Sequence, residues 1–165
     1  MKEPGQRGAS GAGRGGGGVW DIVLQNPNRY PEAATRRLRP WLERLVCSLV
    51  PVAAGEERSL GVRFSGDREM RRVNRGFRGK DKTTDVLSFP GEEEHVGDIL
   101  ISVPTARRQA AEAGHPVERE IRILLLHGLL HCMGYDHETD DGTMERLERK
   151  LRRSWIPAGE AGGDA

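Results

Sequence analysis

The sequence predicts an α+β fold: a single domain in which a small, mixed, four-stranded sheet packs with about five helices. Four short strand-like runs are interspersed with five segments of helical periodicity, and most of the strands are separated by helices. The chain has 165 residues, enough for one domain with a real core. One helix is apolar around almost its whole circumference, which predicts a central, buried position.

The first half of the chain supplies two strands and two helices. Residues 19–25 are typical of a strand, and residues 59–64 of another. Between them, residues 36–50 carry apolar side chains at i, i+3, i+4, i+7, i+8 and i+11, which predicts an amphipathic helix that Pro40 must kink or restart. Residues 67–77 form a short helix that Asp67 could cap, and its apolar side carries Met70, Val73 and Phe77.

The second half begins with two strands, 85–89 and 96–103, which lie close enough in sequence to form a hairpin. A helix follows over 104–113 and ends at Gly114. Residues 116–133 form the apolar, central helix. The last helix, 139–155, turns its apolar side chains inward and carries two i, i+4 ion pairs on its outer face, Glu145–Arg149 and Glu148–Arg152.

The two ends of the chain lie outside the predicted domain, which covers residues 19–156. Residues 1–18 are rich in glycine and can bury almost nothing, so they are expected to form a disordered extension. Residues 157–165 are expected to form a flexible tail. No apolar run is long enough to span a membrane and no signal-peptide core follows the N-terminus, so the expected location is cytoplasmic.

The bulk composition restricts the possible functions only weakly. The net charge is +1, so any binding of nucleic acid has to come from a local patch rather than from overall charge. Cys47 and Cys132 lie far apart in sequence and form no disulfide framework, and a reducing compartment suits them at least as well as secretion. Nothing in the composition indicates an oligomeric state.

Three histidines near the end of the central helix have the spacing of metal ligands. His127 and His131 are four residues apart, so their imidazoles share one helix face. Gly134 permits a left-handed turn that brings His137 back toward them. Burying several imidazoles requires a partner for each ring nitrogen, and one metal ion satisfies all three. We therefore predict one zinc ion per chain with an open fourth position, although other divalent metals accept the same ligands.

The neighbours of these histidines limit the chemistry. Zinc proteases with this spacing place a glutamate directly after the first histidine as general base, but Gly128 stands there. Cys132 points away from the shared ligand face and is interpreted as core filler. Asp136 is either a turn residue or a partner that orients a ligand imidazole. His95 and His115 are the candidates for a fourth ligand that would close the site.

A second cluster, residues 71–82, holds six cations and one carboxylate in twelve residues and runs from the short helix toward the following strand. Such a run is either a solvated helix face or a binding surface for phosphates. The run continues into a glycine-containing loop, where Arg78, Lys80 and Lys82 can converge on one ligand, which favours the binding surface.

Together these motifs resemble a known family. The run from His127 to His137 (HGLLHCMGYDH) is similar to the signature of the YbeY endoribonucleases at each fixed position. The upstream block, which includes Asn74, residues 77–82 (FRGKDK) and residues 84–90 (TDVLSFP), resembles that family's second block, and residues 97–99 (GDI) a third. The resemblance covers about residues 19–155 and leaves the glycine-rich extension out.

The resemblance implies a zinc-dependent endoribonuclease specific for single-stranded RNA. It further implies a role in maturation of the 3′ end of the 16S ribosomal RNA and in ribosome quality control, with the small ribosomal subunit as partner. The three histidines would be its metal ligands, and the family's functional arginine falls on Arg78. We expect Arg78 to be catalytic, at the scissile phosphate, and Arg75, Lys80 and Lys82 to bind neighbouring phosphates.

Two other functions remain open from the sequence. One is a zinc hydrolase of peptides or small molecules, against which Gly128 speaks. The other is a non-catalytic ribosome-assembly factor in which zinc is structural and the basic loop only binds RNA. A closed coordination shell with a fourth protein ligand would indicate the assembly factor.

Overall fold

The computed structural model describes residues 10–15, 17–136 and 138–158. Over these residues the chain forms five strands, five α-helices and a short 3-10 helix at Pro31–Ala33. The strands are β1 (Ser10–Gly15), β2 (Gly18–Gln25), β3 (Glu57–Ser65), β4 (Val86–Pro90) and β5 (His95–Ser102). The helices are α1 (Leu38–Leu49), α2 (Asp67–Arg78), α3 (Val103–Ala113), α4 (Val117–Cys132) and α5 (Thr143–Trp155).

The predicted α+β class is confirmed, with a single mixed sheet and a central helix that carries histidines. The strand order is β1-β2-β3-β5-β4. Strands β2, β3 and β5 are parallel, whereas β4 pairs with β5 as the predicted antiparallel hairpin. Helices connect the parallel strands, as parallel pairing requires. Strand β4 therefore lies at one edge of the sheet.

The fifth strand, β1, is a correction to the prediction of a disordered extension over residues 1–18. Residues 10–15 pair antiparallel with β2, with Gly15 opposite Gly18. Two glycines stand between these partners, and Gly17 has a φ of +93°, as tight hairpin turns require. The pairing covers the free edge of β2, and the backbone hydrogen bonds of such a pairing need no apolar side chain. The predicted disorder of residues 1–9 and 16, and most of the predicted tail, lie outside the described residues.

Successive side chains of β4 and β5 point to opposite faces of the sheet and so contribute to two separate apolar clusters. Ile99 and Ile101 of β5 point into the main core, which also contains α1 and α4. Leu100 points the other way and joins Leu87 of β4 and Met70 of α2 in a smaller cluster. Helices α2 and α4 therefore lie on opposite sides of β4, and the edge strand runs between their C-terminal ends.

Helix α4 lies in the main core, as its apolar pattern predicts. Ile121, Leu125, Leu126, Leu129 and Leu130 are completely buried. The helix packs against β4, β5, α3 and α5, and its last two turns carry His127 and His131. Any site built on those turns is positioned by the core itself.

The last helix begins later than predicted, at Thr143 rather than at residue 139. Asp140 accepts hydrogen bonds from the backbone N–H groups of Gly142 and Met144, each at 2.8 Å. These bonds satisfy donors at the helix start, and Gly142 adopts the left-handed conformation at φ +92°. The side chain of Asp140 therefore sets the boundary.

The carboxylate of Asp67 connects the start of α2 to the start of α3. It does not cap its own helix, because Gly66 occupies that position. Its Oδ1 accepts hydrogen bonds from the hydroxyls of Ser102 (2.6 Å) and Thr105 (2.7 Å), and its Oδ2 from Arg108 (2.8 Å). Burial opposes ionisation, but these three donors lower the pKa of Asp67 from 3.8 to about 2.

Asp67→Asn is expected to lower the free energy of unfolding at neutral pH and to flatten its dependence on pH. Because the pKa of Asp67 is lower in the folded state, its ionised form contributes stability above about pH 4, and that contribution is lost as the pH falls toward 2. Urea unfolding at several pH values measures the effect. Equal losses of stability between pH 5 and 2.5 in both proteins would contradict it.

Over the ranges that the structure describes, no helix has both the length and the apolar character needed to cross a bilayer.

Candidate active site

A cleft of about 720 Å³ opens at the free edge of β4. Its walls come from the end of α2 with the loop that follows, from the whole of β4, and from the end of α4 with the turn after it. The side chains that matter for chemistry are Phe77, Arg78, Lys80, Asp85, His127, His131, Tyr135 and Asp136. Two groups of residues singled out in the sequence therefore meet in one cleft: the histidines of α4 and part of the basic segment 71–82.

His127 and His131 converge inside this cleft. Both are partly buried, and their Nε2 atoms lie 3.1 Å apart. The rings meet edge to face with centroids 4.6 Å apart. The predicted i, i+4 pairing is thus present, with the two Nε2 atoms within hydrogen-bond distance of each other.

The geometry of this pair fits a metal ion. Two nitrogen ligands at about 2.0–2.1 Å on neighbouring corners of a tetrahedron lie roughly 3.3 Å apart, close to the observed separation of the Nε2 atoms. The described residues contain no cluster of three or more potential ligands. The third predicted ligand, His137, lies outside those residues, and its place in the site rests on the sequence spacing.

Glu148 of α5 orients the first histidine, a role that the sequence analysis did not assign. Its Oε2 lies 3.0 Å from Nδ1 of His127. When Nδ1 carries the proton and donates it to this carboxylate, Nε2 presents its lone pair to the cleft. Burial alone would raise the pKa of Glu148, but its hydrogen bond to His127 and the charges of His127, Arg152 and His131 lower it. The carboxylate is therefore ionised at neutral pH.

The predicted position of Glu148 on the outer face of α5, paired with Arg152, is wrong, because its carboxylate points inward to His127. The other predicted pair is present, with Arg149 donating to Glu145 at 2.9 Å. A signal for the inward position of Glu148 exists in the sequence: it follows the buried Met144 by four residues and lies within the apolar arc of the helix. An acidic side chain within such an arc has to find a partner in the protein interior.

Glu148→Ala is expected to weaken metal binding by about 10- to 100-fold, because an unsupported imidazole is both less basic and less well oriented. Competition with a chromophoric chelator measures the affinity. Glu145→Ala is the matched control, since Glu145 lies one turn earlier and pairs at the surface. Equal affinity in the two variants would show that Glu148 does not support the site.

Gly128 is explained by close packing. A Cβ at this position would come within 3.0 Å of Ile99 Cγ2 and of Ser88 Oγ. Helix α4 therefore approaches the sheet closely at the position where zinc proteases carry their glutamate, and a side chain there would require Ile99 and Ser88 to shift.

Cys132 is buried, in agreement with its interpretation as core filler. A Cβ on Gly97 of β5 would lie 2.6 Å from its sulfur, so the missing side chain of Gly97 makes room for the thiol. Burial, reinforced by the nearby charge of Asp98, raises the pKa of Cys132 to about 12. The thiol is therefore neither a nucleophile nor a competing thiolate ligand at neutral pH.

Asp136 lies at the mouth of the cleft and organises the turn after α4. Its carboxylate accepts from the backbone N–H of Glu138 at 3.0 Å and from the hydroxyl of Thr139 at 3.3 Å. These contacts match the turn role considered for it. Its predicted orientation of a ligand imidazole stays a prediction.

The predicted phosphate-binding residues are divided between two concave surfaces. Arg78 and Lys80 are exposed and line the cleft with the histidines. Arg75 and Lys82 line a neighbouring concavity of about 820 Å³, together with Arg68, Arg71 and Arg72. The basic segment therefore forms a ridge between the two surfaces instead of converging on a single point.

The loop that carries Lys80 and Lys82 is held against α2. The buried Asn74 donates from Nδ2 to the backbone carbonyl of Lys82 at 2.9 Å. Arg71 forms a two-pronged contact with Asp81, at 2.8 and 3.1 Å. These contacts with α2 position the loop that carries Lys80 and Lys82. Both Arg71 and Asp81 are exposed.

Neither histidine considered as a fourth ligand lines the cleft. His95 contacts Ser59 (2.7 Å) and Asp98 (3.0 Å) on the other side of the sheet. His115 lies 2.6 Å from Glu120 at the start of α4. The arrangement that would indicate a closed, structural zinc site through either residue is therefore absent.

Taken together, the mixed sheet, the paired histidines and the cationic rim define a small α+β protein with a candidate active-site cleft at the edge of its sheet. The family model of Endoribonuclease YbeY matches residues 24–155. The chain belongs to this family.

Individual relatives and a solved structure agree with this assignment. The chain is 47% identical over 122 residues to Endoribonuclease YbeY of Solibacter usitatus, covering 73% of this chain and 82% of the relative. It is 42% identical over 148 residues to Endoribonuclease YbeY of a Picosynechococcus species, covering 79% and 89%. The solution structure of TM1509 from Thermotoga maritima matches with a TM-score of 0.59 at 27% identity, over 87% of this chain and 97% of that one.

Proposed function

We propose that the protein is a zinc-dependent endoribonuclease that cuts single-stranded RNA, and that its substrate is the 3′ end of the 16S ribosomal RNA in the small subunit. Family membership supports RNA cleavage. The observation that carries the proposal is the meeting of two kinds of group in one cleft: the paired nitrogens of His127 and His131, and the cations Arg78 and Lys80.

The residues of the cleft divide the work as follows. His127, His131 and His137 hold the metal, and Glu148 keeps the His127 ring in the ligating orientation. A bound zinc ion supplies Lewis-acid chemistry for phosphodiester cleavage. Arg78 binds the scissile phosphate and stabilises the negative charge that develops there. Lys80 binds an adjacent phosphate inside the cleft, and Arg75 and Lys82 bind phosphates on the neighbouring concavity.

The protein would act in the cytoplasm, where ribosomal subunits mature, and would take part in ribosome quality control there. A peptidase is disfavoured because Gly128 stands where the required glutamate would be. A purely structural zinc site is disfavoured because His95 and His115 are engaged elsewhere.

The test is an RNA-cleavage assay with metal analysis of the same preparation. We expect about one zinc per chain, cleavage of an unpaired RNA carrying the 3′-end sequence, little cleavage of the same sequence in a duplex, and loss of cleavage with a chelator that zinc restores. A protein that binds zinc and RNA but leaves the RNA intact would be an assembly factor instead.

A further inference from the structure

The structure contradicts the sequence pattern at Phe77. The periodicity of α2 places Phe77 on the apolar side with Met70 and Val73. Met70 is fully buried and Val73 partly buried, yet 74% of the surface of Phe77 is exposed. Among the residues whose exposure the structure describes, Val19 is the other large exposed apolar side chain, at 40%, and it lies on β2. Phe77 is therefore a largely exposed aromatic ring, and its exposure calls for a reason.

The ring is supported from below. The ring of Phe89 in β4 lies 4.9 Å away, centroid to centroid, with an interplanar angle of 60°. Phe89 in turn packs against the small cluster of Met70, Leu87 and Leu100. The edge-to-face contact is favourable for aromatic pairs and limits the positions that the Phe77 ring can take. The ring is thus held in place while most of its surface stays open.

The open ring shares its cleft with the groups that would act on RNA. Arg78, Lys80, His127 and His131 line the same space. Exposed aromatic rings beside cations are the combination with which proteins bind unpaired nucleotides, since the base stacks on the ring while the cations bind the phosphates. One exposed ring beside the two cations Arg78 and Lys80 offers too little apolar surface to form the centre of a protein interface.

We propose that Phe77 is a stacking platform for one unpaired base next to the phosphate that Arg78 binds. The inference rests on the proposed function and deepens it, because it gives the preference for single strands a structural cause. In a duplex both faces of a base are covered by its neighbours, so only an unpaired base can stack on the ring.

The test measures RNA binding separately from cleavage. A short single-stranded RNA carries one 2-aminopurine, a fluorescent base, at successive positions, and stopped flow records its quenching before turnover. Phe77→Leu keeps an apolar side chain but removes the flat ring, and Phe77→Tyr keeps the ring. We expect Phe77→Leu to weaken binding of single-stranded RNA by roughly 5- to 100-fold and Phe77→Tyr by less than about threefold.

Two further measurements separate base stacking by Phe77 from a nonspecific contribution of this residue to RNA binding or folding. An RNA that lacks the stacked base should bind equally well to the wild type and to Phe77→Leu, because the interaction is already removed. The melting temperatures of the variants should match the wild type, because the side chain is exposed. Unchanged affinity in Phe77→Leu, or an equal loss with duplex RNA, would overturn the proposal.

The outcomes also keep this proposal apart from the proposed function. If the wild type quenches the fluorescent base but cleaves no RNA, the enzymatic function fails and the stacking platform stands. If the wild type cleaves RNA and Phe77→Leu binds it normally, the stacking platform fails and the enzymatic function stands.

Discussion

Replacing His127 or His131 by alanine is expected to remove the bound metal and to abolish RNA cleavage. The two Nε2 atoms lie 3.1 Å apart, a separation that suits two ligands of one metal ion, so the loss of either leaves too few ligands for a stable site. We expect the metal content to fall from about one per chain to under about 0.1, and the cleavage rate to fall on the order of 10³-fold or more. His137→Ala is expected to do the same, because the sequence spacing predicts it as the third ligand.

Elemental analysis of the purified variants, combined with the cleavage assay, measures this effect. His95→Ala is the matched control, because His95 is a hydrogen-bonded histidine on the other side of the sheet. It should retain both metal and activity. Full metal occupancy in His127→Ala and His131→Ala would rule out the site.

Arg78→Ala is expected to lower the turnover number by about 10²-fold while RNA affinity falls only modestly. Arg78 lies at the C-terminal end of α2, exposed in the histidine cleft, where a guanidinium can bind the phosphate with two donors. Arg78→Lys should restore the rate only in part, because an ammonium group is a point charge and lacks the two-pronged geometry.

The chain offers a close control for this experiment. Arg75 lies one turn earlier on the same helix, but it lines the neighbouring concavity. Arg75→Ala should therefore weaken RNA binding and its salt dependence by roughly one phosphate contact without changing turnover at saturating RNA. An Arg78→Ala enzyme with normal turnover and much weaker binding would show that Arg78 only positions the RNA.

The pairing of His127 and His131 could be predicted because its signal is local. Two histidines four residues apart share a helix face wherever that helix lies, and the apolar circumference of the same segment predicts its burial. The hairpin of β4 and β5 is likewise predictable, because the two strands are close in sequence. The absence of the protease glutamate can be read directly from Gly128. These features depend on backbone geometry that repeats in any protein, so a sequence pattern is sufficient to find them.

Three features depended on how distant elements pack. Glu148 contacts His127 because α5 crosses α4 at that turn, and the sequence alone placed this carboxylate at the surface. Arg78 lines the histidine cleft, whereas Arg75 lines the neighbouring concavity. The two surfaces are separate because the sheet ends at edge strand β4, between α2, which carries both arginines, and α4. Phe77 stays in water because the cluster beneath α2 ends at Phe89. Periodicity tells which side chains share a face of one element, whereas the partner of that face is decided by contacts between residues far apart in the chain.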